Sequence, residues 1–326
     1  MTLVAGTSTG KPRIFIDYIS YLREVGAITG YYRTGGYDDP TVGEAKDLWD
    51  MNPSKFAQTN MYNKVSFVDD DETNAFVDTA NYFAVLGHNG ARCDHFSIKK
   101  STTFSAIAPT DEYAPIGDAY DMPGYKIDLH DNGIYGGGNF FNAKAWLPEG
   151  SEGYMVGSFS VGRYFDFNNA VDLDVSYSIS HEGIKTKKTI SGRDITNINY
   201  HSQPLWGDRK PWTSGETYKY TGANGRRSWK VSFSYIDHDN ALPQNMNEAF
   251  MLDTDLETPG SGIAHTTENI VSHFLTLTLG GSLKFIFQPD VTLDQFALCR
   301  LSKPQTTFKQ VAHKTYDVRF TFVETY

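Results

Sequence analysis

Cysteine is scarce in this chain of 326 residues, with only Cys93 and Cys299 present. Both lie in apolar, strand-like surroundings, so buried thiols are expected in a protein made in a reducing compartment without disulfide staples. No apolar run reaches the roughly 18 residues that a membrane-spanning helix requires. Met1 to Gly10 lacks the basic start and apolar stretch of a signal peptide. Positive charge is also short: 29 Lys and Arg face 39 Asp and Glu, a net charge of −10. Residues 37–79 hold ten acids and three lysines, with no basic stripe elsewhere to balance them. That excludes a nucleic-acid binder. Lys185, Lys187, Lys188 and Arg193 form the single basic cluster, expected to be a solvated strand face.

Apolar and aromatic residues are abundant. Hydrophobic residues make up 40% of the chain, enough for a sizeable core, so wholesale disorder is excluded. The 20 Tyr, 21 Phe, 5 Trp and 29 Gly favour β-structure with many turns. Two-residue alternation is the strongest periodic signal. In Trp229-Lys230-Val231-Ser232-Phe233-Ser234-Tyr235 every odd residue is apolar, the pattern of a half-buried antiparallel strand. The same pattern runs through Val171, Leu173, Val175, Tyr177 and Ile179, and closes the chain at Val318, Phe320 and Phe322. Leu275, Leu277 and Leu279, then Leu283, Phe285 and Phe287, predict two strands joined by a hairpin turn at Gly280-Gly281. Ala80 to Leu86 predicts a strand entering a turn at Gly87-His88-Asn89-Gly90. Val156 to Phe167 predicts two runs around Gly162, and Ile14 to Val25 a strand followed by a turn.

Residues 109–145, 201–226 and 237–268 are long, polar and turn-rich, which suits binding or contact with a partner; a short helix within 241–252 is the alternative there. The fold class expected is all-β: two antiparallel β-sandwich or barrel domains with long irregular loops. An N-terminal arm and first strand would occupy 1–40, a jelly-roll-like sandwich 41–168, and a second antiparallel domain 169–326, with the boundary near 168–170.

The motifs that would carry catalytic chemistry are each incomplete. Gly6 to Lys11 has three residues between its glycines where a phosphate-binding loop has four, and Pro12 stands where the magnesium-binding hydroxyl belongs. His181-Glu182 is followed by Lys185, not by a second zinc ligand. Ser158 and Ser160 miss the glycine spacing of a nucleophile elbow. Asp253, Asp255 and Glu257 lack the loop glycine of a calcium site, as do Asp237, Asp239 and Glu248. Asp69 to Glu72 reads as a solvated acidic loop. His88, Cys93 and His95 would need a fourth zinc ligand that nothing supplies. No catalytic residue, cofactor or metal is therefore expected. Trp206, Trp212, Tyr218 and Tyr220 are the candidates for stacking on a glycan, or for packing a loop or subunit contact.

Several patches together carry a resemblance. Asn81 to Asn89 (NYFAVLGHN) is similar to the strand-turn signature of galactose-binding-like jelly-roll modules in phage tail proteins. Gly225 to Phe233, Leu283 to Asp290, Phe296 to Arg300 and Lys314 to Tyr326 resemble tail-tip strands. In order, and over about half the chain, they resemble virion structural proteins of tailed bacteriophages. The resemblance implies a non-enzymatic tail or tail-adaptor protein located in the virion, with copies of itself in a ring and other virion proteins as partners. A carbohydrate-binding module for a host-surface glycan is the alternative, and a glycoside hydrolase the third reading, with no carboxylate pair to nominate.

Overall fold

The computed structural model describes residues 11–26, 28–34, 45–55, 57–59, 63–70, 80, 82–88, 95–101, 112–113, 120–121, 140–146, 154–167, 169–181, 183–198, 225–242, 269–293 and 295–325. The first strands are β1 Arg13–Asp17, β2 Ile28–Thr34, β3 Ala57–Thr59, β4 Asn63–Asp70, β5 Tyr82–Leu86 and β6 His95–Ser101. The middle strands are β7 Glu112–Tyr113, β8 Tyr120–Asp121, β9 Phe140–Trp146, β10 Tyr154–Val156, β11 Ser158–Asp166 and β12 Ser176–Ser180. The last are β13 Ile184–Lys188, β14 Asp194–Ile198, β15 Arg226–Asp237, β16 Phe285–Gln288, β17 Ala297–Leu301, β18 Phe308–Ala312 and β19 Thr315–Glu324. Among the described residues four short helical segments, α1 Tyr18–Glu24, α2 Ala45–Trp49, α3 His238–Ala241 and α4 Ile270–Leu275, interrupt them.

Every strand pairing among the described residues is antiparallel, so the chain is all-β as expected. A ten-stranded sheet follows the order β12-β15-β19-β17-β16-β1-β11-β5-β8, with β18 added on β19. A five-stranded sheet runs β2-β4-β9-β6-β7, and β10-β3 and β13-β14 form separate pairs. Strand β1 lies between β16 and β11, so residues on both sides of 168–170 share the large sheet.

This arrangement follows from side-chain alternation. In β1, Ile14 and Ile16 enter the main core while Phe15 enters a smaller one on the opposite face with Tyr82, Phe296 and Leu298. A strand buried on both faces reads as the unbroken apolar run seen in the sequence. The main core is aromatic: Phe167 stacks on Phe233 at 4.4 Å, and Phe274 meets Phe285 and Phe320 edge-on at 5.4 and 5.6 Å. Such pairs contribute about 0.5–1.5 kcal/mol each beyond their buried area.

Several local expectations are corrected. Ile14 to Val25 is a strand followed by a helix, because Asp17 caps α1 by accepting from the Ser20 N–H at 2.8 Å. Leu275 to Leu279 is not a strand, because Asn269 accepts from the Ser272 N–H at 2.8 Å and starts α4. Gly280 and Gly281, at φ 70 and 78, then end the helical segment instead of turning a hairpin. Residues 158–166 form one strand, not two runs around Gly162. At Gly162 a Cβ would stand 1.9 Å from the Ile16 carbonyl oxygen, so glycine lets β1 approach β11. In β15 the register shifts between Phe233 and Ile236, which exposes Tyr235 and turns Ile236 inward. Parts of the stretch 109–145 expected to be irregular are strands β7, β8 and β9. Helix α3 ends at Ala241, and 243–252, which hold most of the stretch where a short helix was the alternative, lie outside the described residues.

Candidate functional site

The aromatic candidates Trp206, Trp212, Tyr218 and Tyr220 lie outside the described residues, as do Cys93 and 253–257. His88 is buried beyond β5, and His95 opens β6. Among the described residues no three His, Cys, Asp or Glu side chains gather as metal donors.

One polar cluster has the composition of a catalytic relay. Asp17 Oδ1 accepts from Ser160 Oγ at 2.9 Å and from the Val161 N–H at 3.0 Å, while Tyr82 Oη lies 2.8 Å from Ser160 Oγ. Asp17, Tyr82 and Ser160 are all buried. Burial raises the Asp17 carboxyl above its ordinary range despite these hydrogen bonds. Burial, reinforced by the charge of Asp17, pushes the Tyr82 phenol well up. A substrate cannot reach these groups; they tie β1, β5 and β11 together and cap α1.

The exposed counterpart lies between residues 173 and 198. Of thirteen large hydrophobic side chains exposed among the described residues, eight fall here: Leu173, Val175, Tyr177, Ile179, Ile184, Ile190, Ile195 and Ile198. The cause starts with Asp172 and Asp174. Ser234 Oγ donates to Asp172 Oδ2 at 2.8 Å, and Ser232 Oγ donates to Asp174 Oδ1. With both carboxylates turned onto β15, Leu173 between them points fully into solvent. The half-buried strand expected over 171–179 is therefore corrected: Val171 alone packs against the core, and every residue of β12 is exposed. Strand β12 then pairs with β15, Tyr177 opposite Trp229, and is the end strand of the large sheet among the described residues.

Beyond β12 the chain forms the β13-β14 hairpin, whose strands pair only with each other among the described residues. Every residue of both strands is exposed. Its register places Ile184 opposite Ile198, Thr186 opposite Thr196 and Lys187 opposite Ile195. The tip holds its own shape. The Thr189 N–H donates to the Arg193 carbonyl at 2.8 Å, and the Gly192 and Arg193 N–H groups donate back to Thr189. Lys185, Lys187 and Lys188 are all solvated on β13 but do not form the one strand face expected, since Lys188 lies on the face opposite the other two, and Arg193 is in the turn. None of these four side chains forms an ion pair among the described residues. The arm itself was not legible as a projection. Its one signal was the apolar alternation of 171–179 running directly into a basic segment.

No family model matches the sequence, and no curated protein does. Structural comparison finds chitosan-binding module 2, in complex with chitotriose, from a chitosanase/glucanase of Paenibacillus sp. IK-5. It is 15% identical, with 41% of this chain and 95% of the module covered and a TM-score of 0.27. A pectin-binding carbohydrate-binding module is 10% identical, with 41% and 89% covered and a TM-score of 0.25. Truncated AlyQ, with CBM32 and alginate lyase domains, is 10% identical, with 70% of this chain and 50% of AlyQ covered and a TM-score of 0.31. These three are carbohydrate-directed proteins, not virion proteins, and at such scores they assign this chain no ligand. Among the described residues no helix is long and apolar enough to cross a membrane.

Proposed function

We propose that this protein is a non-catalytic structural subunit that works by binding copies of itself through the 173–198 surface. The observation that carries this reading is the concentration of eight exposed large hydrophobics, two on β12, two on the segment leading into it and four on the β13-β14 hairpin. A two-stranded hairpin is marginally stable alone in water, and an open sheet edge invites pairing. Grouped exposed apolar side chains mark an interaction site. A tail or tail-adaptor subunit of a phage particle, the role implied by the sequence resemblance, is the setting we propose.

The test is the mass of the intact protein across a concentration series, by light scattering and native mass spectrometry. Oligomers that dissociate when Ile184, Ile195 and Ile198 become serine support the reading. A monomer at every concentration, or oligomers indifferent to those changes, would overturn it. Glycan binding is the second reading, and it rests on Trp206, Trp212, Tyr218 and Tyr220 in the sequence. A glycan array with hits that Trp206→Ala and Trp212→Ala abolish would favour it.

A further inference from the structure

We infer that the β13-β14 arm of one copy docks on the body of the next, in a head-to-tail contact selected by charge. This rests on the self-association proposed above and specifies its partner surface. From Ile184 to Ile198 the arm carries Lys185, Lys187, Lys188 and Arg193 against Asp194 alone, a net +3. The whole chain is −10, so everything outside the arm is −13. One molecule therefore holds a basic, apolar projection and a strongly acidic remainder.

The register decides how the arm presents itself. Lys185 and Lys187 share one face with Asn197 and Ile195, and Ile184, Thr186 and Lys188 share the other with Ile198, Thr196 and Asp194. Each face thus offers cations beside isoleucine. Two arms laid together would bring like charges into contact, which disfavours symmetric arm-to-arm pairing. Against the body of a second copy the same cations meet excess carboxylate, while the isoleucines leave water. The hydrogen-bonded tip from Thr189 to Arg193 is shaped in advance, which lowers the ordering cost of docking. Because arm and receiving surface differ, the contact repeats from copy to copy, as a closed ring or an open fibre.

The experiment mixes the full wild-type chain with an isotope-labelled variant whose residues 184–198 are replaced by a short Gly-Ser turn, read by native mass spectrometry. The armless chain still offers a body, so we expect it to enter wild-type oligomers but not to associate with itself. Wild-type oligomers that exclude the armless chain would overturn the arm-to-body contact while leaving self-association intact. Armless chains that assemble like the wild type would overturn both proposals, as would a wild-type chain that stays monomeric. A second variant, K185E/K187E/K188E, keeps the hairpin and tests the charge. At low salt its dissociation constant should rise at least about tenfold, and added salt should now tighten its association, because the arm has become acidic and screening relieves its repulsion from the acidic body. An unchanged constant, in a variant whose circular dichroism matches wild type, would overturn electrostatic selection.

Discussion

Arg227 is clamped to Glu324 across β15 and β19. Its Nη2 and Nε donate to Glu324 Oε1 at 2.5 and 3.0 Å, and its backbone N–H donates to Oε2 at 2.9 Å. The guanidinium also reaches the Phe296 carbonyl at 3.3 Å and lies 5.3 Å from the Trp229 ring centroid. Glu324 is buried, opposite Cys299 on β17. One pair therefore joins three strands at the side of the sheet from which β12 and the arm extend. Removing one partner of such a pair strands a buried charge and costs about 3–5 kcal/mol. We expect Arg227→Ala to fall at the low end of that range, since Arg227 is part-exposed and the backbone N–H stays bonded. Glu324→Gln should cost less, because the charge it leaves unpaired is that of the part-exposed Arg227 guanidinium, and the amide oxygen can still accept from Arg227. Urea denaturation of both variants checks the order; equal stability of Arg227→Ala and wild type would refute it.

Cys299 should be inert in the folded protein. Burial, with Glu324 beside it, pushes its thiol well above the ordinary range, and the side chain has no exposure. Thiolate is the reactive form, so both chemistry and access are blocked. Alkylation with iodoacetamide at pH 8, followed by peptide mass mapping, should leave Cys299 unmodified in buffer and modified in denaturant. Labelling at equal rates in both conditions would contradict the burial on which this rests.

Asp17 should make stability depend on pH. Burial raises its carboxyl above the ordinary value of 3.8, with hydrogen bonds from Ser20, Val161 and Ser160 offsetting only part of that. The folded state thus holds this proton more tightly than the unfolded chain. The resulting stabilisation is fully present below 3.8 and is lost as pH rises through the higher folded value. Asp17→Asn does not titrate. The unfolding free energy of wild type minus that of Asp17→Asn should therefore decline as pH rises through that window, by at most about 1.4 kcal/mol per pH unit. A difference that is flat or rising with pH would show that Asp17 is not the linked group.

Asp17 also shows how far the sequence could be read. Strands that alternate cleanly, β15 at Trp229 to Phe233 and β19 at Val318 to Phe322, were legible because half-burial imprints a period of two. The helices were not. Leu275, Leu277 and Leu279 imitate a strand, and the deciding signals are single capping side chains, Asp17 and Asn269, whose bonds depend on where the chain turns. At Tyr235 a bulge reverses the alternation with no change in composition. The arm was hidden for a third reason. Leu173 to Ile179 looks like a core face unless Asp172 and Asp174 are known to bond Ser234 and Ser232 on a distant strand. The glycan candidates lie outside the described residues, so Trp206 and Trp212 still rest on the sequence alone.

Gly162→Ala should destabilise the protein strongly. A Cβ there would meet the Ile16 carbonyl oxygen at 1.9 Å and the Tyr18 nitrogen at 3.1 Å, and both are backbone atoms that no rotamer change can move. Relief requires β1 to part from β11, which would also disturb the Asp17 bond to Val161. Overpacking of this kind costs about 1–3 kcal/mol, and rigid neighbours put this site at or beyond the upper figure. Thermal unfolding that matches wild type would mean that the two strands can separate freely.

A division of the chain near 168–170 into two independent β-domains can be tested through β1. In the large sheet Arg13, Ile14 and Phe15 pair with Gln288, Phe287 and Ile286 of β16. Residues 169–326 alone would lose that partner, leaving β16 as an open edge with Phe285, Ile286 and Phe287, which are buried in the whole chain. They would also lose Phe167, which stacks on Phe233 and lies edge-on to Phe274. Unpaired backbone and newly wetted aromatic rings both disfavour the fragment, and an apolar open edge promotes aggregation. We expect 169–326 expressed alone to aggregate or to lack a near-ultraviolet circular dichroism signal. The full chain should lose its large sheet in one cooperative transition spanning residues on both sides of the boundary, followed by hydrogen exchange at Phe15 and Phe287. A soluble 169–326 fragment with native-like aromatic signals would instead show that the C-terminal half is a domain that borrows β1 without needing it.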